Sequence, residues 1–204
     1  MAQQTLPTKS NLMAVRKSLA LAKVGYDLMD KKRNILIREL MALMERAKEI
    51  QRTIDSAYAS AYRALEKANI TLGFCDEISK TIPEDNSVEM DIRSVMGVEI
   101  PVLSIEKATE LPLRYGLDNT NARLDETVAL FTKAKELTIE LAEIENSVYR
   151  LTIAIKKTQK RANALKNIVI PRFENDVIFI TEALEEKDRE EFSRLKVIKS
   201  QKNK

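Results

Sequence analysis

The 204-residue chain carries 34 basic and 31 acidic residues, a formal charge of +3 that is too small by itself to argue for a nucleic-acid partner. With 4 Gly, 5 Pro, no Trp and 32% charged residues, its composition is that of a coiled coil rather than of a compact α/β enzyme. A single cysteine, Cys75, excludes an internal disulfide and fits a reducing compartment, and no apolar run approaches eighteen residues. A soluble, cytoplasmic chain is expected, any membrane role being indirect.

Thr8 or Ser10, after Pro7, supplies an N-cap for a first helix. From Leu12 apolar residues recur at heptad spacing without a stutter. The a positions are Leu12, Leu19, Tyr26, Arg33, Leu40, Ala47, Ile54, Ala61 and Ala68; the d positions are Val15, Ala22, Met29, Leu36, Leu43, Ile50, Ala57 and Ala64. This predicts one helix with a coiled-coil seam, roughly 85 Å long at 1.5 Å per residue, ending near Asn69 to Gly73, where Gly73 can adopt the left-handed C-cap conformation. Only Arg33 breaks the apolar pattern. It can fix register or snorkel, and the sequence reading favours snorkelling.

Between Thr71 and Asn119 the character changes: Gly73, Gly97, Gly116, Pro83, Pro101 and Pro112 all fall there. Val88, Met90 and Ile92 alternate with charged residues, and Val98, Ile100 and Val102 alternate on the far side of Met96-Gly97. Period two on both sides predicts a β-hairpin, with its turn at Met96-Gly97 or nearer Arg93-Ser94. Pro101 cannot donate to a ladder, so its strand belongs at an edge. A lone hairpin is marginal in water and must lean on the helices or on a partner.

A second long helix starts near Asn119 or Thr120, either of which can cap it. Its seam runs Leu130, Ala134, Leu137, Leu141, Ile144, Val148, Leu151, Ile155, Thr158, Ala162, Leu165 and Val169. Pro171 is expected to kink the helix or shift its register. Beyond it Phe173, Val177, Ile180 and Leu184 continue the stripe, with Phe192 and Leu195 following after a slip. The fold class is therefore mainly α: a long antiparallel two-helix coiled coil with an inserted hairpin. Residues 1–70 form the first helix, 71–119 the hairpin and its connecting loops, and 120–204 the second helix, together one elongated domain.

Charge follows the same antiparallel scheme. The acidic stretch from Glu174 to Glu191 is expected beside Lys9, Arg16, Lys17 and Lys23. Lys156, Lys157, Lys160 and Arg161 are expected near Lys31, Lys32, Arg33 and Arg38, as a basic collar that repels itself unless something acidic or polar surrounds it. The alternative for the collar is an ordinary solvated face. Without His, with one Cys and with no glycine-rich phosphate cradle, the chain lacks the groups for general-base, metal or P-loop chemistry, and no cofactor is expected. Glu185-Glu186 and Glu190-Glu191 read as helix carboxylates that are solvated or paired with basic neighbours, and Cys75 as packing. An enzyme acting alone is not expected.

Several runs resemble one family in order along nearly the whole chain. They are Pro7-Thr8-Lys9 with Leu12, Arg16-Lys17, Leu19, Ala22, Gly25, Leu28 and Lys32-Arg33; Ser94 to Val98 with Ile100-Pro101; Pro112, Tyr115-Gly116, Asn121 and Leu124-Asp125; Lys157-Thr158, Arg161 to Leu165 and Ile170-Pro171; and Leu184 to Glu186, Arg189 to Glu191 and Arg194 to Lys196. Together they are similar to the D subunit of the V-type and A-type rotary ATPases. Asn34, where an acidic residue is common, and Gln159, in an otherwise basic run, depart from that pattern. The resemblance implies a non-catalytic central-stalk rotor whose paired termini enter the catalytic hexamer. It implies that the hairpin end lies towards the membrane ring, beside the small F subunit and the socket-like protein that caps the ring. The rival readings are a prefoldin-like holdase arm, built as helix, hairpin and helix, and nucleic-acid binding through the collar.

Overall fold

The computed structural model describes residues 6–81, 87–105, 115–116 and 120–202. In chain order these form α1 (Lys9–Leu72), a short α2 (Asp76–Thr81), β1 (Val88–Val95), β2 (Val98–Ile105), α3 (Ala122–Ala164), a π-helical turn (Leu165–Val169) and α4 (Ile170–Lys202). No periodicity or capping signal had pointed to α2. Pro83, Pro112 and Asn119 lie outside the described residues.

Helix ends follow local chemistry. Thr8 Oγ1 accepts the Asn11 amide at 3.2 Å and caps α1. Gly73, at φ +79°, closes its C-terminus and donates to the Asn69 carbonyl at 2.9 Å. The cap of α3 is Asn121 rather than Asn119 or Thr120: its Oδ1 accepts the amides of Arg123 and Leu124, both at 3.1 Å. The short Asx side chain suits that role wherever the helix begins, and here it begins at Ala122.

Every a and d position named for α1 is buried or half-buried, from Leu12 to Ala68. The same holds for the second stripe from Leu130 through Leu165 to Val169. Two compact units contain these seams: residues 1–34 with 156–204, and residues 35–155. The first unit takes a piece from both ends of the sequence, as antiparallel pairing requires.

In the unit of residues 35–155, Leu36, Leu151 and Ile100 form one core cluster, with Leu40, Leu43, Val95, Val98, Ala154 and Ile155 against it. Ile50, Ile54 and Ile144 form a second, joined by Leu43, Ala47, Tyr58, Leu137, Leu141 and Val148. The antiparallel register is set by pairs that step in opposite directions: Arg46 with Glu140, Tyr58 Oη with Thr138 Oγ1 at 3.0 Å, Tyr62 edge-on to Phe131, and Asn121 to Thr71 at 2.9 Å.

The hairpin turns at Met96-Gly97, with Val95 opposite Val98 as the closing pair. Both turn residues have positive φ, 51° and 74°, the geometry of a two-residue hairpin loop that matches strand twist. Methionine is a poor occupant of that conformation because its Cβ crowds the backbone. Met96→Asn is expected to raise stability by up to about 1 kcal/mol, read as a higher urea midpoint at unchanged m-value.

Pro101 costs the sheet nothing. Along the outer edge of β2 the Glu99 carbonyl accepts Arg150 at 3.1 Å and the Leu103 amide donates to Glu143 at 2.9 Å. Pro101 lies between them with its nitrogen on that same outer side, so α3 side chains satisfy the edge where a donor is missing.

Near the start of α3, the Tyr115 hydroxyl donates to Asp125 Oδ1 at 2.6 Å. Burial, then that hydrogen bond and the carboxylate charge, push its pKa up to about 12. A raised tyrosine pKa means stability fully present below about pH 10, the unfolded value, and lost as pH climbs through about 12. Ultraviolet difference titration of Tyr115→Phe should therefore lack the latest phenolate step, and its unfolding should lose the steepest part of the alkaline dependence.

Candidate interaction site

The unit of residues 1–34 and 156–204 holds most of the collar. Arg33 does not snorkel. Its side chain is 24% exposed, with Nη1 donating to Gln159 Oε1 at 2.8 Å and Nη2 bridging Asp30 at 2.6 Å. Asn34 bonds both Arg33 and Asp30, and Gln159 Nε2 continues to Asn163 Oδ1 at 2.8 Å. An arginine at a seam position that bonds across to one glutamine specifies register, because sliding the helices by one residue breaks that bond while the Asp30 and Asn34 contacts on its own helix stay. Sequence alone could not show this, since the partner glutamine stands 126 residues away.

That contact sets Lys31 and Lys32 level with Lys160 and Arg161. Lys31, Lys156, Lys157, Lys160 and Arg161 are exposed or half-exposed, as is Lys32. Among the described residues none of these cations is ion-paired to a carboxylate of the chain. Arg38, also exposed, belongs to the other unit. The collar is thus a set of free cations, from which Arg33 must be subtracted.

The acidic stretch behaves differently from the expectation. Lys23 bridges Glu174 at 2.8 Å, but Glu185, Glu186 and Glu190 pair with Arg189 and Arg194 on their own helix. From Glu185 onward every described residue of α4 is exposed. Phe192 and Leu195, 70% and 59% exposed, therefore do not extend the buried stripe, which ends at Ile180 and half-buried Leu184.

The hairpin residues divide by burial. Val98 and Ile100 pack with Val95 against Leu36 and Leu151, while Val102 is half-buried. Val88, Met90 and Ile92 alternate along one face of β1, with Met90 and Ile92 more than 60% exposed. These three form an apolar strand face whose outer edge has no neighbouring strand among the described residues.

No group of three or more His, Cys, Asp or Glu residues among the described residues is placed to hold a metal ion. No described helix is long and apolar enough to cross a membrane. What the geometry offers among the described residues is helical seams that are buried or half-buried, exposed cations without a carboxylate partner and an apolar strand face: the surfaces of an assembly component built on a coiled coil.

The family model described as the D subunit of ATP synthase matches residues 11–200. A V-type ATP synthase D subunit from Thermotoga neapolitana is 45% identical over 95% of this chain and 96% of its own length. A-type ATP synthase D subunits from Methanopyrus kandleri and Thermococcus kodakarensis are 37% and 33% identical over 95% of this chain, and over 84% and 92% of theirs. The chain belongs to the D-subunit family of the ATP synthases, a structural stalk component and not a catalytic one.

Proposed function

We propose that this chain is the central rotor of a V/A-type ATP synthase, transmitting rotation between a catalytic hexamer that makes or hydrolyses ATP and an ion-translocating membrane ring. The observation that carries the reading is the seam: over eight heptads of α1 no a or d position is exposed. A shaft must resist bending and twisting, and a long helix whose seam positions are covered along its length favours both. It must also slide past successive catalytic interfaces without locking to one. Dispersed exposed cations suit that, since each surface pair is individually weak. Coupling is then a shaft angle that biases open against closed interfaces.

On this reading the collar faces the head or a stalk partner. The apolar face of Val88, Met90 and Ile92 docks the small F subunit or the socket-like protein that caps the ring. The chain is cytoplasmic, and membrane-peripheral only through its complex. ATP turnover by the purified hexamer, with and without this chain and its small stalk partner, tests it. A changed rate with all components co-migrating supports the rotor. No association and no effect would overturn it, and a stable homo-oligomer would favour a prefoldin-like arm instead. Replacing residues 88–102 by a short Gly-Ser loop should cut turnover or stalk assembly severalfold; normal turnover and assembly would remove the hairpin from the mechanism.

A further inference from the structure

The π turn sits where the sequence of the second seam goes out of step. A heptad seam alternates steps of three and four. Up to Leu165 the second stripe does so without fault, but from there it runs Leu165, Val169, Phe173, Val177: three steps of four in succession. Ile180 and Leu184 then resume the alternation. Relative to a strict heptad the chain holds one residue too many, and α1 contains no matching excess. In an unbroken α-helix one extra residue would swing everything beyond it by about 100°, carrying the stripe off the face of α1. It does not swing: Ile180 is fully buried, and Phe173, Val177 and Leu184 are half-buried.

The backbone shows how. The Ile170 amide donates to the Leu165 carbonyl, a bond that encloses one residue more than an α turn. The surplus is pushed outward: Ile168 is 66% exposed, whereas Leu165 faces Gly25 and the Lys166 ammonium lies 5.8 Å from the centre of the Tyr26 ring. Pro171 is compatible with the turn, lacking the amide that an α ladder would need, but a proline does not by itself move a stripe by one residue.

We propose that Leu165–Val169 is a register compensator: a one-residue slack, created by the seam's phase rather than by Pro171, that lets α4 re-engage α1. With Ile168 removed, Ile170 follows Leu165 four positions on, and the residues from Phe173 to Leu184 fall into strict heptad register. This goes beyond the rotor reading and does not depend on it. The Arg33–Gln159 contact pins the helices on one side of the turn, so any slip in register must be taken up at the turn itself.

The test uses the full chain in a Pro171→Ala background, which removes the separate cost of proline in a regular helix. Pro171→Ala alone is expected to keep the Ile170-to-Leu165 bond in its crystal structure. Deleting Ile168 in that background should leave the melting temperature equal or higher. Deleting Asn146, an exposed α3 residue where the seam is in phase, should lower it by on the order of 10 °C. If the Ile168 deletion melts as low as the Asn146 deletion, there is no slack to remove. If Pro171→Ala alone converts the turn to α-helix, the proline and not the phase makes it. Either result overturns the proposal, and both are read on the isolated chain whether or not it assembles with a motor.

Discussion

Leu151→Ala is expected to destabilise the isolated chain by about 3 kcal/mol, within the usual range for emptying a fully buried leucine site. Leu151 and Leu36 are both fully buried, and Ile100 of the hairpin completes their cluster. The site cannot collapse easily, because it is bounded by two helices and a strand whose edge is already held by Arg150 and Glu143. The cost therefore includes a cavity as well as lost transfer energy. For a chain of this size the melting temperature should fall by on the order of 10 °C in circular dichroism. The same substitution at Leu137, which is half-buried, should cost about half as much. If Leu151→Ala melts within about 2 °C of the parent, the shift that a cost of about 1 kcal/mol or less would give, the cluster does not hold hairpin to helices.

That cluster also marks how far the sequence can be read. The seam is legible because period 3.5 is a property of each helix alone, and its prediction needs no knowledge of the partner. The hairpin is legible for a similar reason, through period two and the Gly97 turn. Which part of the hairpin is covered is not legible: Val88, Met90 and Ile92 are as apolar as Val98 and Ile100. The choice is decided by the helix surface that the second strand meets. Arg33 shows the same limit. A lone arginine in a seam suggests snorkelling until a glutamine far along the chain is found opposite it. The exposed end of α4 escapes prediction because Phe192 and Leu195 keep a helical spacing beyond the last seam residue that is covered. The π turn lies in plain view in the spacing, but a proline two residues beyond it offers a simpler cause for any irregularity and hides the skipped residue.

Neutralising the collar separates its two readings by the sign of two effects. Lys156 and Lys160 are four apart on one helix, as are Lys157 and Arg161, and like charges at that spacing destabilise by a few tenths of a kcal/mol per pair. Replacing Lys156, Lys157 and Lys160 by glutamine should therefore leave helicity unchanged and raise the stability of the isolated chain slightly. Binding should move the other way. At about 0.5 kcal/mol for each exposed charge contact, three losses amount to roughly a tenfold weaker association with the catalytic head or stalk partner. The salt dependence of that association should shrink with it, since the long-range attraction being screened has been removed. A collar that serves only as a solvated face predicts the first effect without the second. Unchanged affinity together with an unchanged salt slope would therefore sink the partner-facing reading while leaving the register role of Arg33 intact, because Arg33 is engaged inside the seam with Asp30 and Gln159.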